Sequence, residues 1–180
     1  MTELDKIVDA NKQYFHNFKH GNLSIPPARK LAVLACMDAR LNVNEALGLK
    51  TGDAHIIRNA GGIATEDAIR SLIISHELLG TQEFVVINHT DCGMLTFTDK
   101  DLQKDLRQKY KSDASEIRFY SFPNLEENVN NQINKIKSSP FFPPDIPIHG
   151  FIYDVKTGKI ERIAGAQKTI NEISIQSSSP

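Results

Sequence analysis

The stretch LAVLACMDARL, residues 31–41, is an apolar run that climbs to a cysteine and then breaks into the alternation Cys36, Asp38, Arg40. Its first part predicts a short strand over Lys30 to Met37, entered from the Pro26-Pro27 turn. Similar runs follow along the chain. AHIIR (Ala54 to Arg58) predicts a second strand and leads into Asn59-Ala60-Gly61-Gly62, where glycines permit tight backbone paths. EFVVIN (Glu83 to Asn88) predicts a third strand, which ends at His89. Thr65 to Leu79 reads as a helix, with Thr65 as its cap, Glu66 and Asp67 in its first turn and Gly80 just past its end. Met94 to Tyr110 and Leu125 to Ile136 read as further helices, the latter opened by Pro123-Asn124. Phe151 to Val155 and Lys159 to Ile163 flank Lys156-Thr157-Gly158 and read as a terminal hairpin. Strands alternating with helices predict an α/β fold: a mainly parallel central β-sheet flanked by helices, with a C-terminal edge hairpin.

The 180 residues suit one domain with a core of its own. We divide the chain into a helical arm (1–29), an α/β domain (30–165) and a tail (166–180) whose last residues, Ser177 to Pro180, are expected to fray. The arm reads as an amphipathic helix with Leu4, Ile7, Val8 and Phe15 near one face. MTELDKIVDANKQYF has no basic head followed by an apolar stretch, so no secretory signal is expected. No apolar run approaches the roughly 18 residues of a spanning helix. A cytoplasmic address is the expectation. A net charge of −1 gives no reason to expect nucleic acid or an anionic membrane as partner. Two cysteines make no disulfide framework; in a reducing compartment they are free, metal-bound or reactive. Neither phosphate-binding glycine motif, G-x-x-x-x-G-K-[ST] or G-x-G-x-x-G, is present.

In parallel sheets, chemistry gathers at the carboxyl ends of strands. Cys36 ends the first predicted strand, and His89-Thr90-Asp91-Cys92-Gly93 follows the third. One imidazole and two thiolates suit Zn2+, and three protein ligands leave a fourth position open, as catalytic zinc sites do. Gly93 is expected to let the backbone turn closely beside the metal. If the strand continues past Cys36, Asp38 and Arg40 point to the same side as the thiolate. Asp38 could then bind the metal as a fourth ligand or orient a water on it, and Arg40 could hold Asp38 in a bidentate pair. Zinc lowers the pKa of bound water from about 15.7 to about 7, which gives a hydroxide able to attack a small electrophilic carbon. The histidines His16, His20, His55, His76 and His149 join no such set and read as structural or solvent-facing.

Cys36-x-Asp38-x-Arg40 followed by His89-x-x-Cys92 resembles the β-class carbonic anhydrases. The likeness runs through GDAHIIRNAGG (Gly52 to Gly62), NHTDCGM (Asn88 to Met94) and HGFIYDVKTGKI (His149 to Ile160), about Leu31 to Ile163 in all. It is closest to a compact subgroup that also contains carbonyl sulfide and carbon disulfide hydrolases. The resemblance implies one zinc per subunit held by Cys36, His89 and Cys92, with Asp38 and Arg40 as a catalytic gate. It implies reversible hydration of CO2 to bicarbonate, or hydrolysis of carbonyl sulfide or carbon disulfide with release of hydrogen sulfide. It also implies a homo-oligomer, a dimer or a dimer of dimers, in which the N-terminal arm packs on a neighbouring subunit. Many members carry a substrate-holding glutamine nine residues before the first cysteine, and here that position is Pro27. Two readings lie outside this chemistry: a zinc-binding module closed by Asp38 and without catalysis, and a thiol redox protein, which would need Cys36 and Cys92 to pair.

Overall fold

The computed structural model describes residues 1–163; the predicted tail and the last two residues of the predicted domain lie outside them. Its elements are α1 (Glu3–His16), β1 (Leu31–Cys36), α2 (Val43–Ala46), β2 (Ala54–Asn59), α3 (Glu66–Glu77), β3 (Glu83–His89), α4 (Asp99–Tyr110), α5 (Leu125–Lys137), β4 (Ile148–Tyr153) and β5 (Ile160–Arg162). Among these residues no helix is long and apolar enough to cross a membrane.

The five strands form one sheet in the order β2-β1-β3-β4-β5. β1 pairs in parallel with β2 and β3, and β3 with β4; only β4 and β5 run antiparallel, as the terminal hairpin. All six residues of β1 are buried, which is why LAVLAC reads as a continuous apolar run rather than an alternation. The chain leaves β1 for β2 on one side and returns to β3 on the other. The carboxyl ends of β1 and β3 therefore form the switch point of the sheet, the usual seat of a ligand crevice in open α/β folds.

One face of the sheet packs under α3 and α5 through Ala32, Leu34, Phe84, Val86, Leu72, Val129, Ile133 and Ile136. Val129, Ile133 and Ile136 recur at helical spacing, and each buried aliphatic side chain stabilises by on the order of 2 kcal/mol. α5 lies so close to β4 that a Cβ on Gly150 would fall 2.6 Å from Val129 and 2.7 Å from Ile133. The other face, with Val33, Ala35, Val85 and Ile87, is covered by Leu41, Val43 and Leu49 from the segment around α2. α1 is capped by Thr2, with Asp5 closing a capping box, and buries none of its residues.

The structure corrects one expected element and adds another. The helix expected over Met94 to Tyr110 is a single 3-10 turn at Gly93–Leu95, followed by α4 from Asp99. Thr98 takes an extended conformation and accepts from the Asp101 amide, so it starts a new helix instead of continuing one. α2 was not expected; at four residues it is too short for a periodic signal.

Gly150→Val should lower stability by about 2 kcal/mol, because the new side chain must displace Val129 and Ile133 of α5. A lower urea midpoint would show it; an unchanged midpoint would mean that α5 is not packed as described.

Candidate metal centre

The switch point brings together the residues that the two sequence motifs kept apart. Cys36 is the last residue of β1 and His89 the last of β3, with Cys92 three residues on. All three are buried, and their ligand atoms lie within 4.8 Å of one another. Asp38 Oδ2 stands 3.7 Å from His89 Nε2, on the same centre.

The donor set fits a zinc ion. His89 Nδ1 lies 2.9 Å from the Thr90 carbonyl, which can only accept, so Nδ1 carries the proton. The Nε2 lone pair is left facing inward, and Nε2 is a fully buried atom with no hydrogen-bond partner. An unpartnered buried nitrogen is costly unless something fills it, and a metal-bound imidazole has this tautomer and this outer bond. The two sulfurs point the same way. A hydrogen bond from the Cys92 thiol holds the Cys36 thiol down to about 4, while the same contact, together with burial, pushes Cys92 up. Two buried thiols sharing one proton are a site that a divalent cation would relieve by taking both as thiolates.

The backbone amides of Asp38 and Gly61 help hold the Cys36 thiol down, and that of Met94 works against the upward push on Cys92. Gly61 and Gly62 both have positive φ, and a Cβ on Gly62 would fall 3.0 Å from the Cys36 nitrogen, so only glycine fits beside this ligand. Gly93 is different from expectation: a Cβ there would meet nothing within 4 Å. The left-handed residue of the His89–Cys92 loop is Asp91, at φ 54°. Thr90 ties that loop to the end of β4: its N–H donates to the Tyr153 carbonyl and its hydroxyl accepts from the Val155 amide.

The strand does not continue past Cys36, so period-two geometry is not what places Asp38 and Arg40. Residues 37–40 turn instead, with Asp38 Oδ1 accepting the Arg40 amide at 2.9 Å. Arg40 grips Asp38 with two prongs, Nε on Oδ1 at 3.0 Å and Nη2 on Oδ2 at 2.8 Å. The same guanidinium reaches Asp91 Oδ2 at 2.7 Å and the Asp91 carbonyl at 2.9 Å. Arg40 thus bridges the loops after β1 and β3, and its hydrogen bonds hold the Asp38 carboxyl far below the usual carboxylate range. Arg58, from β2, fixes the turn from beneath by donating to the carbonyls of Cys36 at 3.0 Å and Asp38 at 2.7 Å.

Asp91 and Arg58 had no assigned role in the sequence reading, although both lie inside motifs it singled out. The remaining wall is apolar: Ile63, Met94 and Phe122 pack with the two cysteines. Phe122 is delivered by a clamp on the segment before it, where Asp99 accepts the amides of Phe119, Tyr120 and Ser121. Three of the histidines set aside from the site have structural partners. His55 meets Ser75, His76 donates to the Thr81 carbonyl, and His149 meets Glu83. Pro27, at the glutamine position, is buried and offers no side-chain donor.

A sequence model of the carbonic anhydrase family matches residues 31–160. The chain is 44% identical over 167 residues to β-carbonic anhydrase 1 of Mycobacterium tuberculosis, covering 91% of this chain and 99% of that protein. It is 37% identical over 162 residues to a carbon disulfide hydrolase of Saccharolobus solfataricus, covering 77% of this chain and 79% of that protein. Among solved structures, a carbonic anhydrase from Streptococcus mutans superposes with a TM-score of 0.84 at 45% identity, covering 91% of this chain and 98% of that one.

Cys92→Ser should give a folded protein that loses zinc on gel filtration, because a hydroxyl is a far poorer zinc ligand than a thiolate. Metal analysis reads the result, and retained stoichiometric zinc would remove Cys92 from the ligand set.

Proposed function

The chain belongs to the β-carbonic anhydrase family, and on that basis we propose that it is a zinc hydrolyase that hydrates CO2 reversibly to bicarbonate, with Cys36, His89 and Cys92 holding one zinc per subunit. The observation that carries this reading is the buried Cys-His-Cys triangle with an unpartnered His89 Nε2, set beside an Arg40-held carboxylate. When bound, zinc supplies Lewis acidity that brings the pKa of a water ligand from about 15.7 to about 7.

The chain's own residues do the rest. Asp38 accepts a hydrogen bond from the nucleophile and so points its lone pair at the substrate carbon. Arg40 keeps both Asp38 oxygens engaged, which favours Asp38 as an acceptor over Asp38 as a fourth ligand. Arg58 holds the backbone on which Asp38 rides. Ile63, Met94 and Phe122 keep bulk water off the reacting atoms. A cytoplasmic location fits two buried thiols that form no disulfide.

Carbon disulfide or carbonyl sulfide is the second reading. It is favoured by the carbon disulfide hydrolase relatives and by the missing side-chain donor at Pro27. Both substrates are linear and electrophilic at carbon, as CO2 is, and need less polar recognition than bicarbonate does.

The arm, residues 1–29, completes the reading as an oligomerisation element. Leu4, Ile7, Val8 and Phe15 are exposed on α1, at 46–71% of their surface. The sheet face opposite α3 and α5 carries a cavity of about 210 Å3 lined by Leu31, Leu47, Leu49, Val85 and Phe151. Burying apolar α1 on a second subunit satisfies both surfaces and gives a homo-oligomer, a dimer or a dimer of dimers.

The deciding experiment compares CO2 hydration by stopped flow with sulfide release from carbonyl sulfide and carbon disulfide, on one zinc-quantified preparation. Fast hydration with negligible sulfide is expected; strong sulfide release with weak hydration would transfer the assignment to the second reading. Asp38→Ala should keep its zinc and lose about a hundredfold in kcat/KM; unchanged turnover would remove Asp38 from the mechanism. Ile7→Asp with Phe15→Asp should shift the sedimentation profile towards monomer, and an unshifted profile would exclude the arm from the interface.

A further inference from the structure

Behind the Cys36 side of the centre, three buried amide side chains run in a single direction. Asn88, Asn128 and Gln132 are 1%, 5% and 7% exposed. The Ala64 amide donates to Gln132 Oε1 at 2.9 Å, and Gln132 Nε2 donates to Asn128 Oδ1 at 2.7 Å. Asn128 Nδ2 donates to Asn88 Oδ1 at 2.6 Å, and Asn88 Nδ2 donates to the Gly61 carbonyl at 2.8 Å. Both ends of the series are main chain, where an N–H only donates and a carbonyl only accepts, so every amide has one permitted orientation. The series also begins and ends in the same short turn, Gly61 to Ala64. It is a clasp that leaves the turn, passes through α5 and β3, and returns.

The turn it closes is the one that touches the metal ligand. Gly61 and Gly62 follow each other with φ of 80° and 60°. Consecutive left-handed glycines are the least restrained points of a backbone, so the direction of their peptide groups depends on bonds from outside. Asn59 brackets Ile63 at both its N–H and its carbonyl, and the clasp fixes Gly61 and Ala64. What this orientation secures is the close seat of Gly62 against the β1 backbone, where a Cβ would fall 3.0 Å from the Cys36 nitrogen and 3.1 Å from the Ala35 carbonyl carbon.

α5 already has an apolar stripe for packing in Val129, Ile133 and Ile136. Asn128 and Gln132, four residues apart, form a second, polar stripe beside it. Buried amides destabilise unless every donor and acceptor is met, so an apolar pair would have been the simpler filling.

We infer that Asn128 and Gln132 of α5, acting through Asn88, are positioning residues for the metal centre: they hold the Gly61–Gly62 turn against the Cys36 backbone and thereby set where the Cys36 sulfur sits relative to the metal. The inference rests on the zinc centre proposed above. Outer partners of a metal site orient its ligands, and a Cys36 whose backbone seat loosens presents its sulfur less well aligned to the metal.

The test uses cobalt(II)-substituted protein and its thiolate-to-metal charge-transfer band, compared between the parent, Asn128→Leu and Gln132→Met. A cavity of about 310 Å3 runs along Asn128, Gln132, Ile63 and Phe122 and leaves room for either side chain. Gln132→Met touches only the far end of the series, so it serves if Asn128→Leu does not fold. The band should shift and weaken in the variants as the sulfur loses its alignment on the metal, and zinc release to a chelating dye should quicken by about tenfold, the usual scale of outer-partner effects on metal sites. Thermal melts run alongside. A lower melting temperature with an unmoved band would mean that the amides serve the fold alone, and would overturn the inference. A parent with no charge-transfer band would overturn the thiolate metal centre itself, and the inference with it.

Discussion

Parallel pairing of β1 with β3 is the constraint on which the rest of the structure depends. It places Ala35 opposite Ile87 and so brings the two strands to their carboxyl ends together. Cys36 and His89 then emerge side by side from two of the most deeply buried strands in the fold. A site built at such strand ends inherits the rigidity of the sheet, and only Cys92 must be positioned by a loop. That loop is fastened at Thr90 to the next strand and at Asp91 to Arg40.

Burial sets the chemistry of this centre as much as residue type does. Cys36 and Cys92 are almost fully enclosed, and their ionisation is set chiefly by their contact with each other and by burial. The carboxylate side is more open and is organised by charge: one guanidinium engages two aspartates from two loops. As a surface pair, Arg40 with Asp38 would add little to stability. Its value is directional, because a two-pronged grip restricts where the Asp38 oxygens can go. Ile63, Met94 and Phe122 pack an apolar wall against both cysteines. Membership of the family sets the type of chemistry.

Much of this was legible before any coordinates. The apolar runs of β1, β2 and β3, the capped helix α3 and the terminal hairpin all carry strong local signals, and the structure places them as expected. The clustering of Cys36, His89 and Cys92 was legible because the chain has only two cysteines and both sit at or just past predicted strand ends with a histidine. The reason given for Asp38 and Arg40 was not the operative one. Strand alternation would have aimed them, but the strand stops at Cys36, and a turn closed by the Asp38 side chain does the work. Gly93 was expected to relieve crowding that is absent, while Asp91 took the left-handed position that no local pattern announces.

Asn128 and Gln132 show where the boundary lies. Their four-residue spacing on one stripe of an amphipathic helix is visible in the chain, and it marks two polar side chains next to an apolar face. Nothing in the chain says what lies opposite them, because Asn88 is forty residues away and Gly61 sixty-seven. By itself the sequence determined the main strands, the helices α1, α3 and α5 and the three side chains that could hold a metal, since periodicity, capping and ligand chemistry are local properties. Tertiary structure alone decided that Arg40 would bridge two loops, that Arg58 would support the turn beneath Asp38, and that a run of amides would clasp the Gly61–Gly62 turn. Those contacts join residues distant in sequence, and they form only when the sheet order brings the strand ends together.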